Sequence, residues 1–169
     1  MGLVAVLGLG PSKELFTGEG FDTVIGVNDI WRFYHTDVIV CLDREKAFTP
    51  DRLKVIKESK PKAFYSQVIN WDYRDDFQPI KIQPGYPESG CRLDPVYMAK
   101  SYCSPFVACQ VAYWYYGATE IHLFGVDLIN HPHLNNVLCT KIILHFGHLR
   151  KALKEKGCDM IVHGKGILT

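Results

Sequence analysis

A glycine-rich segment, Gly8-Leu9-Gly10-Pro11-Ser12, directly follows the apolar run Leu3–Leu7. Glycines at that point let the backbone turn sharply and come close to a ligand. Free N–H groups of such a loop, together with the N-terminus of a following helix, bind phosphate groups. Ser12 is placed either to cap that helix or to bond the phosphate. Because Lys13 interrupts the dinucleotide-binding pattern GxGxxG and the Walker A pattern is absent, the segment predicts either an anion site or a tight strand-to-helix turn.

Polar residues stand directly after three further apolar runs. In open α/β sheets, ligands bind outside the carboxyl ends of the strands, so these residues are candidates for ligand binding. Asn and Asp also favour turns through local side-chain hydrogen bonds, and both interpretations stay open for each of them. The candidates are Asn28, Asp29, Asp43 and Asp127, the last preceded by Gly125.

Four of the seven histidines lie close together in the second half of the chain. His145 and His148 are three residues apart, so on a helix they face the same side. Histidines titrate near neutral pH and act as general acids or bases, but these two are also open to phosphate binding or to plain packing. His131 and His133 offer two metal ligands without an evident third, and we predict no metal site.

Short apolar runs that lack polar alternation predict strands buried on both faces, as in a parallel sheet covered by helices. Helical patterns with a proline near their start, a glycine after their end, or both separate some of these runs. The predicted strands are 3–7, 23–27, 37–42, 63–65, 121–124 and 160–162, and the predicted helices are 50–57 with Thr49 as N-cap, 104–116 with Ser104 as N-cap, and 137–156.

Residues 66–102 contain four prolines and show no period. A segment of this length without periodicity is typical of a lid, a binding loop or a partly disordered segment. We therefore predict one Rossmann-like α/β domain over residues 1–169, with a mostly parallel sheet flanked by helices and a lid-like central insertion at 66–102.

Composition excludes several classes of protein. The chain has 169 residues, 47% of them hydrophobic, and a formal net charge of +1. This is typical of a single globular domain, and a nucleic-acid-binding protein would usually carry a basic excess.

The six cysteines form no CxxC motif, and several lie in apolar runs, which is typical of buried free thiols. Together with a start that lacks a signal-peptide pattern and no apolar run of membrane-spanning length, this predicts a cytoplasmic protein. Self-association into a homo-oligomer stays open because the helix at 104–116 is so apolar.

Two stretches resemble a known group of nucleotide-binding proteins. Gly8-Leu9-Gly10-Pro11-Ser12 followed by a strand ending in Asn28 resembles the opening of bacterial sialyltransferases that use CMP-sialic acid. It also resembles the MptE-like group of pterin diphosphokinases and motility accessory factors. The stretch SPFVACQVAYWYYGATEIHLFGVD, from Ser104 to Asp127, resembles their serine-initiated buried helix followed by a strand that ends in Gly-x-Asp. The matches cover residues 3–43 and 104–128, with Leu9 in place of the usual asparagine and Pro105 in place of the usual glycine.

The resemblance implies a set of site residues and two enzymatic activities. A nucleotide-sugar donor such as a CMP-linked sugar would bind at the strand ends, and an acceptor hydroxyl would lose its proton to His148, the nearest match to the Gly-His context of the sialyltransferases, or to His145. In a diphosphokinase, Mg²⁺ would neutralise the phosphates, with Asp43 and Asp127 as ligands. A non-catalytic nucleotide-binding protein is the third alternative. The residues implied for nucleotide binding are Gly8, Gly10, Ser12, Asn28, Asp43, Ser104, Gly125 and Asp127.

Overall fold

The computed structural model of the protein describes residues 2–129 and 131–168, and nine strands and three α-helices lie within them. The strands are β1 (Leu3–Leu7), β2 (Thr23–Val27), β3 (Val38–Val40), β4 (Ala63–Ser66), β5 (Phe77–Pro79), β6 (Lys81–Ile82), β7 (Tyr97–Met98), β8 (Glu120–Phe124) and β9 (Asp159–Val162). The helices are α1 (Pro50–Glu58), α2 (Ser104–Tyr116) and α3 (Asn136–Glu155). Short 3₁₀ helices cover Pro11–Leu15, Ile30–Arg32, Glu45–Ala47 and Ile69–Trp71.

Seven of the strands form one sheet in the order β5-β4-β3-β2-β1-β8-β9, and every neighbouring pair is parallel. The chain adds β2 to β5 on one side of β1 and then places β8 and β9 on the other side. All carboxyl ends therefore lie along one edge, and the strand order reverses between β1 and β8, where ligands bind in sheets of this kind. The prediction of a Rossmann-like α/β fold is confirmed.

Helices and short 3₁₀ segments cover both faces of this sheet. On β1, Val4 and Val6 belong to the core that α2 and α3 cover, whereas Ala5 and Leu7 belong to the core that α1 and the 3₁₀ segments cover. This division follows from the alternation of side chains along a strand. It explains why the predicted strands show no polar alternation, because both faces are buried.

Helix α2 has the bounds that the proline near its start and the glycine after its end predict. Gly117 adopts a left-handed conformation at φ 60° and ends the helix, and Pro105 lies in the first turn. Ser104 is the first helical residue rather than the N-cap, which is Cys103. The apolar residues from Phe106 to Ala112 are all buried within the chain's own core, whereas Tyr115 in the last turn is 44% exposed; self-association stays a prediction. Within the described residues, no helix combines the length and the apolar character needed to cross a membrane.

The central insertion at 66–102 contains three short strands that the sequence pattern did not reveal. Strand β5 extends the main sheet beyond β4, and β6 and β7 form a separate two-stranded sheet. Arg74 fixes the first half of the insertion, because its guanidinium donates to the carbonyls of Ile56 and Ser59 and pairs with Asp76 at 2.7 Å. Gln110 of α2 fixes the second half through two hydrogen bonds to the backbone of Ala99.

Candidate functional site

The glycine segment after β1 packs directly against the segment that follows β8. Gly8 N donates to the Phe124 carbonyl at 2.7 Å, and Gly10 N donates to the Gly125 carbonyl at 2.7 Å. A Cβ on Gly8 would lie 2.4 Å from the Gly125 oxygen, so a larger residue would force the two segments apart. The glycines thus allow two strand-end loops to cross at the point where the strand order reverses.

Hydrogen bonds of Ser12 and Asp127 stabilise this crossing of the two loops. The Ser12 N–H donates to Asp127 Oδ2 at 2.8 Å, and the Gly125 N–H donates to Ser12 Oγ at 2.8 Å. Ser12 and Asp127 are both buried. The N–H groups of residues 8, 10 and 12 therefore donate within the protein in this conformation, and phosphate binding by the segment stays a prediction. No α-helix follows them either, because Pro11–Leu15 forms a 3₁₀ helix of five residues.

The segment after β9 covers the same crossing. A Cβ on Gly164 would lie 2.4 Å from Ser12 Cβ, and a Cβ on Gly166 would lie 2.6 Å from Asp127 Cα. Ile167 N donates to the Asp127 carbonyl at 3.1 Å. This segment, residues 163–168, makes Asp127 a buried structural anchor as well as a predicted ligand residue.

Asn28 has the features of an unfilled ligand contact. It follows β2 at the carboxyl edge and adopts a left-handed conformation at φ 50°, which asparagine tolerates better than most residues. Its backbone N–H donates to the Val40 carbonyl, whereas its side-chain oxygen Oδ1 is buried without a hydrogen-bond partner. A buried acceptor without a donor costs about 1–3 kcal/mol, so a ligand N–H or O–H at this position would be favourable.

The next residue, Asp29, pairs with Arg52 of α1. Its Oδ1 accepts from Arg52 Nε at 3.0 Å and from Arg52 Nη2 at 2.7 Å. Since Arg52 lies on α1, this pair fixes that helix against the end of β2. The Asp29 side chain is 5% exposed, which leaves little surface for a ligand.

Two other predicted ligand residues lie apart from the crossing. Asp43 follows β3 and is exposed, and Ser104 begins α2. Among the described residues, no hydrogen bond joins either side chain to the glycine segment. The described residues likewise contain no group of three His, Cys, Asp or Glu side chains able to hold a metal ion.

The two predicted catalytic histidines hold the insertion against α3. His145 is fully buried, and its Nδ1 lies 2.9 Å from Ser101 Oγ. Burial lowers the pKa of His145 because desolvation disfavours the imidazolium. His148 Nδ1 donates to the Pro87 carbonyl at 2.7 Å, and the ring borders a surface cavity also lined by Lys151 and Glu155. Neither histidine contacts the glycine segment, and their catalytic role stays a prediction.

The sequence did not reveal a hydrogen-bonded chain of three titratable side chains, two on β8 and one directly after β9. Glu120 Oε1 lies 2.5 Å from His122 Nε2, and His122 Nδ1 lies 2.7 Å from His163 Nε2. Glu120 and His122 are two residues apart on a strand and so share a face, which was a usable signal. His163 lies 41 residues further along the chain, and only the parallel pairing of β8 with β9 brings it to them.

Comparison with known proteins supports the fold. No protein-family model and no curated protein matches the chain. A solved structure of a point mutant of the α-2,3/8-sialyltransferase CstII matches 94% of this chain and 80% of its own, with 18% identity and a TM-score of 0.56. A structure of CstII from Campylobacter jejuni with the substrate analogue CMP-3FNeuAc matches 94% of this chain and 78% of its own, with 16% identity and a TM-score of 0.53. The chain therefore has a sialyltransferase-like fold.

Proposed function

We propose that the protein is a glycosyltransferase-like enzyme that binds a nucleotide-activated sugar at the carboxyl edge of its sheet. The observation that carries the proposal is the buried, unpartnered Asn28 Oδ1 at that edge. The fold likeness to CstII, one of whose structures holds CMP-3FNeuAc, supports a CMP-linked donor. Asn28 Oδ1 would accept a hydrogen bond from the sugar or base of the nucleotide.

The residues around Asn28 have distinct parts in this proposal. Gly8, Gly10 and Gly125 bring the two strand-end loops together, and the donor's phosphate would lie against these loops. Ser12 and Asp127 hold that arrangement through the bonds described above. Asp43 and Ser104 would contact parts of the donor that extend away from the loop crossing.

The reaction would be a displacement at the anomeric carbon of the donor sugar. The oxygen of an acceptor hydroxyl forms the new bond to that carbon, and the bond to the nucleotide phosphate breaks with its electron pair. The hydroxyl proton must pass to a base, and such a base accelerates a reaction by about 10²–10⁴-fold. The sequence assigns this role to His148 or His145.

The nucleotide class is tested by thermal unfolding with CMP, CDP, UDP, GDP, ATP and NAD, each with and without Mg²⁺. A ligand at 100 times its dissociation constant stabilises the folded state by about 2.7 kcal/mol. We expect a rise in melting temperature with CMP or CDP. A shift that requires both ATP and Mg²⁺ would favour a diphosphokinase, and binding without sugar transfer would favour a non-catalytic protein.

The role of Asn28 is tested by the variant Asn28→Ala. Loss of one hydrogen bond of about 0.5–1.5 kcal/mol weakens binding by about two- to tenfold. Asn70→Ala is a matched control, because Asn70 is exposed on the 3₁₀ helix at 69–71. Equal affinity of the two variants for the nucleotide would refute the assignment of Asn28.

A further inference from the structure

The chain Glu120–His122–His163 fixes the protonation pattern of both imidazoles. An ionised carboxylate only accepts hydrogen bonds, so His122 Nε2 must carry the proton that faces Glu120. In neutral His122, Nδ1 then holds a lone pair and accepts from His163 Nε2–H. His163 Nδ1 is consequently left with a lone pair, which is the state that a general base requires.

The free nitrogen of His163 is accessible. Among the described residues, His163 Nδ1 has no hydrogen-bond partner. The buried side-chain polar atoms without a partner are Asn28 Oδ1, Trp114 Nε1 and His145 Nε2. His163 Nδ1 is not one of them and is therefore not fully buried. The ring of His163 is half-buried and stacks on Phe124, with 4.2 Å between centroids and 4° between planes. This stacking holds the imidazole in one orientation.

The position of His163 connects the hydrogen-bonded side chains of Glu120, His122 and His163 to the candidate site. His163 directly follows β9 at the carboxyl edge, and its backbone N–H donates to the Leu123 carbonyl at 2.9 Å. The next residue, Gly164, lies against Ser12 and Asp127, since a Cβ there would be 2.4 Å from Ser12 Cβ and 3.2 Å from Asp127 Oδ1. Of the histidines discussed, His163 is the one that adjoins the loop crossing.

We propose that His163 Nδ1 accepts the proton of the acceptor hydroxyl, and that Glu120 and His122 are positioning residues that set its tautomer. This proposal rests on the proposed glycosyl transfer. The acceptor oxygen bonds to the anomeric carbon, the nucleotide phosphate leaves with the electron pair, and the hydroxyl proton moves to His163 Nδ1. The Nε2 proton of His163 can then pass to His122 Nδ1, which places the positive charge beside the Glu120 carboxylate.

The surroundings suit a base that is neutral before the reaction. Burial, and then the neighbouring His122, lower the pKa of His163. The rings of Phe21 and Phe124 pack on His122 without adding charge. The Cys158 thiol lies beside Glu120, and burial raises its pKa to about 11, so it stays neutral. Asp159, the partner of Glu120 in the pairing of β8 with β9, is paired with Lys154.

The first test is nitrogen-15 NMR of the imidazoles in the intact protein. We expect His163 and His122 both to carry the proton on Nε2, and the His163 Nδ1 signal to shift when CMP is added. His163 protonated on Nδ1 at neutral pH, or an unchanged signal with CMP bound, would overturn the proposal. Absence of CMP binding in the same titration would instead refute the proposed function on which it rests.

The second test compares kcat and its pH dependence among variants assayed with a CMP-linked sugar. We expect His163→Gln to lower kcat by about 10²–10⁴-fold with little change in KM. Glu120→Gln removes the charge that stabilises the protonated pair, so the acidic limb of its pH profile should move to lower pH. His35→Gln, at an exposed position between β2 and β3, should match the wild type. A large loss in His148→Gln with full activity in His163→Gln would assign the base to His148 and overturn the proposal.

Discussion

Replacing Asp127 by alanine should lower the stability of the whole domain. The Asp127 carboxylate accepts the Ser12 N–H at 2.8 Å, and both residues are buried. A hydrogen bond to a charged group contributes about 1.5–3 kcal/mol, and its loss leaves the Ser12 N–H without a partner. Taking about 2 kcal/mol, and about 2–4 °C per kcal/mol for a domain of this size, the melting temperature should fall by about 4–8 °C.

The matched comparison is Asp43→Ala. Asp43 also follows a strand at the carboxyl edge, but it is exposed and no hydrogen bond to its carboxylate is seen among the described residues. Surface changes of this kind alter stability by less than about 0.5 kcal/mol, so its melting temperature should stay within about 2 °C of the wild type. Asp127→Asn keeps an acceptor oxygen and should fall between the two.

Thermal unfolding followed by circular dichroism, without nucleotide or metal, measures all three variants. Equal melting temperatures for Asp127→Ala and Asp43→Ala would show that the bond to Ser12 does not stabilise the loop crossing. That result would return Asp127 to the role of a free ligand residue, as the diphosphokinase alternative requires.

Two further predictions concern stability. Gly10→Ala should destabilise the protein by about 1–3 kcal/mol, because its Cβ would lie 2.5 Å from Asp127 Oδ2. Gly147→Ala should stabilise it by about 0.5–1 kcal/mol, because Gly147 lies in a helix and its new Cβ would meet no neighbouring segment within 4 Å. Urea unfolding that ranks the two variants in the opposite order would contradict the packing argument. The pKa of His145 is lowered in the folded state, so the unfolded state binds more protons and the free energy of unfolding should fall as the pH drops below about 6.5. His145→Gln should reduce that fall between pH 7 and 5.5, and an unchanged slope would count against it.

The sequence predicted elements whose signals are local. Helix α2 was predicted at its observed bounds because Pro105 and Gly117 mark its ends. Strands β1 and β2 were also predicted at their observed bounds, since both are short runs without alternation of polar and apolar residues. The other predicted strands and helices differ by one or two residues at one or both ends, where backbone pairing decides the boundary.

Features that depend on contacts between distant segments were not predictable. Strand β5 has three residues, ends in Pro79, and exists because it pairs with β4. The hydrogen-bond partners of Gly8 and Gly10 lie on the segment after β8, so the sequence could not show that these donors are occupied. His163 was likewise separated from Glu120 and His122 by α3, whereas His145 and His148 drew attention because they are adjacent in sequence.

The central place of β1 also sets the order in which the protein can fold. Leu3 of β1 pairs with Glu120 of β8, so one of its two neighbours is more than a hundred residues away. During synthesis, β1 can pair with β2 early, but its other edge stays open until β8 has left the ribosome. Sheets built from such distant pairings fold slowly and expose unpaired edges meanwhile. The nascent chain is therefore most prone to aggregate before residue 124 emerges, and chaperone binding should be strongest in that interval.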